Sequence, residues 1–342
     1  MTVKLKPVSE QVIVITGASS GIGLTTARMA AKRGAKLVLA ARNEEALQQL
    51  TEEINSAGGE ALYVVADVGI EGDAKKIEAE SLAKFGNFDT WVNNAATSIY
   101  GKLEDIPIED SRQLFETNFW GTVYGSLIAA RNLRINGGAL INVGSTLGDR
   151  AIPLQGIYSA SKHAVKGFTD ALRMELEADK APISVTLIKP AAIDTPYIDH
   201  ARNYLDVEPL NPPPVYSPET VADTILYCAE NIVRDVYVGG AAKAHSVLGK
   251  YAPRVADKMM ENTMLGQTRT GEPPEPRPNE NLYESNDARL RERGGYEGHV
   301  AESSIYTTAS LHTAITSAVA TGAALALGAG LAYSILKKKQ SH

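Results

Sequence analysis

The sequence predicts an α/β protein built on a doubly wound parallel sheet, and three observations lead there. Short β-branched apolar runs alternate with longer segments of helical periodicity over about residues 8 to 240. Strands that alternate with helices form βαβ units, whose crossovers cover a parallel sheet on both faces. The first apolar run also feeds straight into a glycine-rich turn, the junction at which such sheets hold phosphate groups.

In chain order, the expected strands are Val12 to Thr16, Lys36 to Ala41, Ala61 to Ala66, Asp89 to Asn93, Ala139 to Val143, Ile183 to Ile188 and Asp235 to Val238. That makes about seven strands. Segments such as Ile22 to Lys32 and Arg112 to Asn132 carry the helical period between them. Ser217-Pro218 reads as a helix start with proline at the first helical position, opening an amphipathic helix through Glu230.

The first strand ends in Thr16-Gly17-Ala18-Ser19-Ser20-Gly21-Ile22-Gly23. Gly17, Gly21 and Gly23 allow a tight turn and a close backbone approach to a pyrophosphate, whose charge the following helix N-terminus stabilises. Ser19 and Ile22 fall in the same turn and are expected to share the cofactor contact. After the second strand no acid stands at Ala41, and Arg42 follows. An acid there would bind a ribose 2′-hydroxyl and an arginine accommodates a 2′-phosphate, so NADP(H) is favoured over NAD(H), the alternative for Arg42 being an exposed loop cation. Asp67, closing the third strand, reads either as an acceptor for the adenine amine or as the cap of the next turn.

Tyr158 and Lys162 stand four apart in a proline-free run, Gly156 to Glu177, and so share one face of a helix. A nearby fixed positive charge favours the tyrosinate, which predicts a lowered phenol pKa and a general acid or base. Tyr333 and Lys337 repeat the spacing, so context must separate the pairs. Ser145, at the end of the apolar run Ala139 to Val143, supplies that context, because ligands of such sheets lie beyond the carboxyl ends of the strands.

With these residues in place, the chain resembles the short-chain dehydrogenase/reductase family, whose fold is of the Rossmann type. The resemblance rests on Thr16-Gly17-x-x-x-Gly21-x-Gly23, Asp67-Val68, Asn93-Asn94-Ala95, Asn118, Ser145 and Tyr158-x-x-x-Lys162, in the family's order and spacing over about residues 8 to 240. It implies that Asn94 lines the adenosine-ribose side, that Lys162 also bonds the nicotinamide ribose, and that Asn118 holds a water linking Lys162 to solvent. Ile193 and Thr195 would contact the nicotinamide carboxamide. Two departures stand out: Ala96 and Ala191 occupy positions where glycine is usual, which puts local turn geometry at issue.

The expected reaction is hydride transfer between the nicotinamide and a small-molecule carbonyl or secondary alcohol. Tyr158 moves the proton, Ser145 bonds the oxygen, and Lys162 and Asn118 complete the path. Two other classes stay open: a dinucleotide-binding regulatory or scaffold protein, and an epimerase or dehydratase that retains its cofactor. A net charge of -6 argues against a nucleic-acid partner, a homo-oligomer is expected, and no metal-ligand spacing is present. The one cysteine, Cys228, reads as a small core residue, and no secretory run opens the chain, so the catalytic domain is expected in the cytoplasm.

The remainder divides into three expected parts. Residues 241–265 read as an amphipathic helical extension, with Val247, Tyr251, Val255 and Met259 recurring every four residues and packing on the domain as the default. Residues 266–303, rich in Gly, Pro, Asn, Glu and Arg, read as a disordered linker. Residues 304–342 read as an apolar tail helix. From His312 to Leu336 no residue carries a full charge, a length that could cross a ~30 Å hydrocarbon core and anchor the protein at a membrane. Its many Ala, Gly, Ser and Thr residues make it only weakly hydrophobic, and three following lysines oppose a tail anchor's orientation. The alternatives are a soluble oligomerisation helix and a disordered tail.

Overall fold

The computed structural model describes residues 3–267, 269–274, 276, 280–285 and 290–312. Seven parallel strands form the central sheet: β1 (Val12–Thr16), β2 (Lys36–Ala41), β3 (Glu60–Val65), β4 (Thr90–Asn93), β5 (Gly138–Val143), β6 (Ile183–Pro190) and β7 (Asp235–Val238). Their order across the sheet is β7-β6-β5-β4-β1-β2-β3. The winding therefore reverses between β1 and β4, which opens a crevice at the carboxyl ends of the strands.

Alternation along the strands divides the core into two layers. Ile13, Ile15, Leu37 and Leu39 face one side, where they meet α1 (Gly21–Lys32), α2 (Glu44–Ser56) and, through Val221, Ile225 and Leu226, the later helix α7 (Pro218–Glu230). Val12, Val14, Val38 and Ala40 face the other side and meet α3 (Glu71–Phe85), α5 (Gly121–Asn136) and α6 (Gly156–Ala178), with α4 (Ile108–Phe115) preceding them along the chain. Each large side chain fully buried in these layers contributes roughly 1.5–3 kcal/mol. Cys228 is fully buried in the first layer, where burial pushes its thiol up to about 12.

Beyond β7 the chain differs from the expectation at two places. The extension is two helices, α8 (Gly240–Tyr251) and α9 (Pro253–Gln267), because Pro253 cannot continue the first one. The row Val247, Tyr251, Val255 and Met259 is consequently exposed, while Ala256 and Met260 are buried. Parts of the segment expected as a disordered linker are docked among the described residues, although 271–274 are exposed. Leu282 is fully buried, and Val300–Ala301 pairs in parallel with Val215–Tyr216, which in turn pairs with Ala192–Ile193.

A short helix, α10 (Ile305–Leu311), capped by Ser304, follows and packs near β7, where Thr307 accepts from the Gly239 N–H at 2.9 Å. No helix among the described residues is long and apolar enough to cross a membrane. After His312, the run expected to form a membrane tail lies outside the described residues.

Candidate active site

The glycine-rich turn begins where β1 stops. Gly17 adopts φ +66°, and a side chain there would meet the Ala95 backbone at 2.8 Å. Gly23 packs closer still, for a Cβ on it would stand 2.0 Å from the Gly17 carbonyl oxygen. Asn94 fixes the turn by donating to the Thr16 and Gly17 carbonyls at 3.0 and 3.3 Å. The result is a backbone cradle shaped for a bulky anion at a helix start.

That cradle opens into a cavity of about 590 Å³ running along the strand ends. Gly17, Ser19, Gly21, Ile22, Arg42, Asp67 and Asn94 line it along the ends of β1 to β4, Ser145, Tyr158 and Lys162 beyond β5, and Ile193 and Thr195 beyond β6, with Thr195 beside Gly21, where a Cβ would stand 3.1 Å from it. Gly23 stays buried behind the turn. The backbone cradle, the cation at the end of β2 and the volume of the cavity fit a nicotinamide dinucleotide. Ala96 and Ala191 both line the wall without positive φ, the positive-φ non-glycine residues among the described ones being Leu154 and Lys180, so neither departure forces a strained turn.

At the far end α6 carries both Tyr158 and Lys162, and Ser145 caps the turn after β5 by accepting from the Leu147 N–H at 3.1 Å. Lys162 donates to the Val143 carbonyl at 3.0 Å, and its Nζ lies 5.7 Å from the Tyr158 ring centre. The expected lowering of the tyrosine pKa is not what these surroundings give. Burial raises the Tyr158 phenol above its ordinary value, and hydrogen bonds with Tyr197 and Ser145 pull the other way without overcoming it. Burial likewise draws Lys162 down to about 8. The shared helix face was legible in the spacing, but burial decides both titrations.

Tyr197 and Gln155 belong to the site more closely than the sequence indicated. The Tyr197 ring meets the edge of Tyr158 at 5.6 Å, and its hydroxyl accepts from the Gln155 side chain at 3.2 Å. Gln155 stands immediately after Leu154, whose φ of +66° turns the chain into α6. A leucine in that conformation is a strained position of the kind found at functional sites.

Asn118 has a structural task beside the one the resemblance implied. It lies in a π-helical turn, Glu116–Trp120, fully buried, with its side chain accepting from the Thr97 N–H at 2.8 Å and donating to the Thr97 carbonyl at 2.9 Å. A third bond goes to Ser161 at 3.2 Å. The amide thus clips the cavity wall at Thr97 to α6. Asp67 accepts from the Gly69 N–H at 2.9 Å, as a turn cap does, and also faces Arg42 at 3.7 Å.

A buried polar cluster supports the floor beside Ser145. Asp149 accepts from Tyr237 at 2.6 Å and Ser246 at 2.9 Å and pairs with Lys189 at 3.3 Å, so it joins β6, β7 and α8 behind the turn. Burial pushes its carboxyl up, but the Tyr237 bond, the Lys189 charge and the Ser246 bond outweigh it and hold it below the usual value.

Comparisons with known proteins agree with this arrangement. A family model described as short chain dehydrogenase matches residues 11–204. The uncharacterized oxidoreductase YxnA of Bacillus subtilis (strain 168) is 48% identical over 318 residues, covering 92% of this chain and 89% of that protein. The 11-beta-hydroxysteroid dehydrogenase A of Sesamum indicum is 40% identical over 190 residues, and the match spans 54% of its length.

Among solved structures, a short chain dehydrogenase/reductase from Burkholderia phymatum in complex with NAD aligns with a TM-score of 0.61 and 25% identity, over 78% of this chain and 98% of that one. An alcohol dehydrogenase from the archaeon Thermococcus sibiricus, complexed with 5-hydroxy-NADP, shares the fold at a TM-score of 0.59 and 24% identity, over 67% of this chain and 95% of that one.

Proposed function

The chain belongs to the short-chain dehydrogenase family, and from that premise we propose that it is an NADP(H)-dependent oxidoreductase acting on a carbonyl or secondary alcohol with Tyr158 as general acid and base. An oxidoreductase of this family binds a nicotinamide dinucleotide and acts on a small molecule. The observation that carries the finer reading is the convergence of Ser145, Tyr158 and Lys162 at one end of a cavity whose other end holds Arg42.

In the direction of reduction, the Tyr158 hydroxyl gives its proton to the substrate oxygen. Ser145, whose oxygen accepts from the Leu147 N–H and which hydrogen-bonds the Tyr158 phenol, would turn its O–H to the substrate oxygen as charge develops. Lys162, held by the Val143 carbonyl, keeps a cation beside the phenol and refills the proton path. The turn at Gly17, Gly21 and Gly23 would hold the pyrophosphate, Arg42 the 2′-phosphate, Asn94 the adenosine side, and Ile193 and Thr195 the carboxamide. When bound, the nicotinamide supplies or accepts the hydride at carbon. A raised phenol pKa suits a group that must stay protonated until the oxygen becomes basic.

Leu147, Ile152, Leu248, Met259 and Met260 line the substrate side, which supports a substrate with an apolar body. Exposed Leu127 and Ile135 on α5 and Met174 on α6 support self-association. The charge-free run 312–336 supports membrane association, to be checked by flotation of the full chain with liposomes. The test of the reaction is NADPH and NADH oxidation by the purified protein across apolar aldehydes and ketones. Turnover with NADPH preferred supports the reading, and tight dinucleotide binding without oxidation on the whole panel counts against it.

A further inference from the structure

The dinucleotide cleft is bordered by more than the strand ends, because two pieces of the C-terminal segment lie across it. At the adenosine end, Arg42 donates to the carbonyls of Asn281 and Tyr283, the latter at 2.9 Å. The Asn281 side chain accepts from Thr97 at 2.7 Å, and its N–H donates to the His200 carbonyl at 2.9 Å. Leu282 is fully buried between these bonds, among Ile99, Leu114 and Tyr158, and the Tyr283 phenol donates to Asp110 at 2.7 Å. Asn281 and Ser285 themselves line the cavity.

At the pyrophosphate end, the Arg291 carbonyl accepts from the Gly21 N–H at 2.8 Å, at the start of α1. Glu292 pairs with Arg28 on α1 at 2.6 Å. Across the groove, Asp194 accepts from the Gly294 and Tyr296 N–H groups at 3.1 and 3.0 Å, and a Cβ on Gly294 would stand 2.3 Å from the Thr195 carbonyl oxygen. This piece therefore ties the glycine-rich turn to the loop after β6, which meet at Gly21 and Thr195 beside the place where a pyrophosphate would lie.

We propose that residues 280–285 and 290–296 are a strap over the dinucleotide cleft, and that cofactor enters and leaves only when the strap lifts. The proposal rests on the dinucleotide reading above. Arg42 is the shared anchor, since its guanidinium bonds the strap carbonyls and also faces the cavity where the adenosine end of the cofactor belongs. The strap is held by discrete hydrogen bonds, ion pairs and one buried leucine, with only two-residue strand pairing at Val300–Ala301 behind it. Such a segment opens locally at a cost well below that of unfolding the sheet.

The test uses the full-length protein loaded with NADPH and chased with excess NADP+, the loss of NADPH fluorescence giving the release rate. Leu282→Asp removes the buried anchor, and Tyr283→Ala, at a half-exposed position, serves if the first variant folds poorly. Hydrogen–deuterium exchange of peptides covering 280–285 and 290–296 reports the strap independently of turnover. NADPH should slow amide exchange in both peptides of the wild-type protein, and the variants should release NADPH about tenfold faster or more. Release at the wild-type rate from a variant whose strap amides exchange freely would overturn the proposal. Wild-type protein that binds neither NADPH nor NADH would remove the cofactor reading and the strap together.

Discussion

Replacing Asp149 with alanine removes the centre of the polar cluster beneath the active-site turn. The carboxylate is 9% exposed and accepts from Tyr237 at 2.6 Å and Ser246 at 2.9 Å, with Lys189 at 3.3 Å. Truncating one member of a buried ion pair typically costs ~3–5 kcal/mol, mostly because the partner charge is left unpaired. Lys189 would keep Asp235 at 3.7 Å and the Tyr237 ring at 4.7 Å, which places the loss near the lower end, about 3 kcal/mol. For a domain of this size that corresponds to a fall of roughly 6–12 °C in Tm.

The pH dependence follows from the depressed folded pKa of Asp149. Its contribution is fully present above the ordinary carboxylate value of 3.8 and is lost as pH falls through the lower folded value, so the gap between wild type and variant should narrow in acid. Urea unfolding of both proteins across this range is the assay, with Tyr237→Phe and the double variant completing the cycle. A loss below about 1 kcal/mol at neutral pH, or additivity with Tyr237→Phe, would refute the idea that this cluster ties α8 to the sheet.

Other expectations can be checked with single variants. Lys162 titrates near 8 in the folded chain against an ordinary 10.5, so reduction should weaken as pH rises through about 8, while this residue's share of stability grows between the two values; a flat rate profile to pH 9.5 would argue against its role. Gly23→Ala places a Cβ 2.0 Å from the Gly17 carbonyl and should abolish dinucleotide binding in fluorescence titration while leaving a folded sheet by circular dichroism. Arg42→Ala should lower kcat/KM for NADPH by about 10- to 100-fold, the worth of a hydrogen bond to a charged group, and leave NADH nearly untouched. Equal losses with both cofactors would show that Arg42 acts only through the strap.

Much of this was legible because sheet and site obey local rules. β1, β2 and β7 begin and end where the apolar runs do, and the turn at Gly17 and the Tyr158–Lys162 face follow from residue type and spacing. The rest depends on contacts that spacing does not encode. Residues 280–285 and 290–302 have the composition of a linker, yet they dock through backbone carbonyls on Arg42 and Gly21 and through one leucine, features without periodicity. The four-residue row at Val247 reads as a buried face only if the helix continues, and Pro253 interrupts it. The direction of the Tyr158 shift depends on how deeply α6 is covered, which no neighbour in the sequence reveals.

The most direct measurement is NADPH oxidation with an accepted carbonyl substrate by wild type and Tyr158→Phe, with NADPH binding measured on the same samples. Removing a general acid typically costs ~10² to 10⁴ in rate, and the phenylalanine keeps the ring's packing against Tyr197, so turnover should fall by that factor with cofactor affinity little changed. A Tyr158→Phe protein that binds NADPH normally and still turns over within a few-fold of wild type would contradict the assignment of Tyr158 as the proton donor.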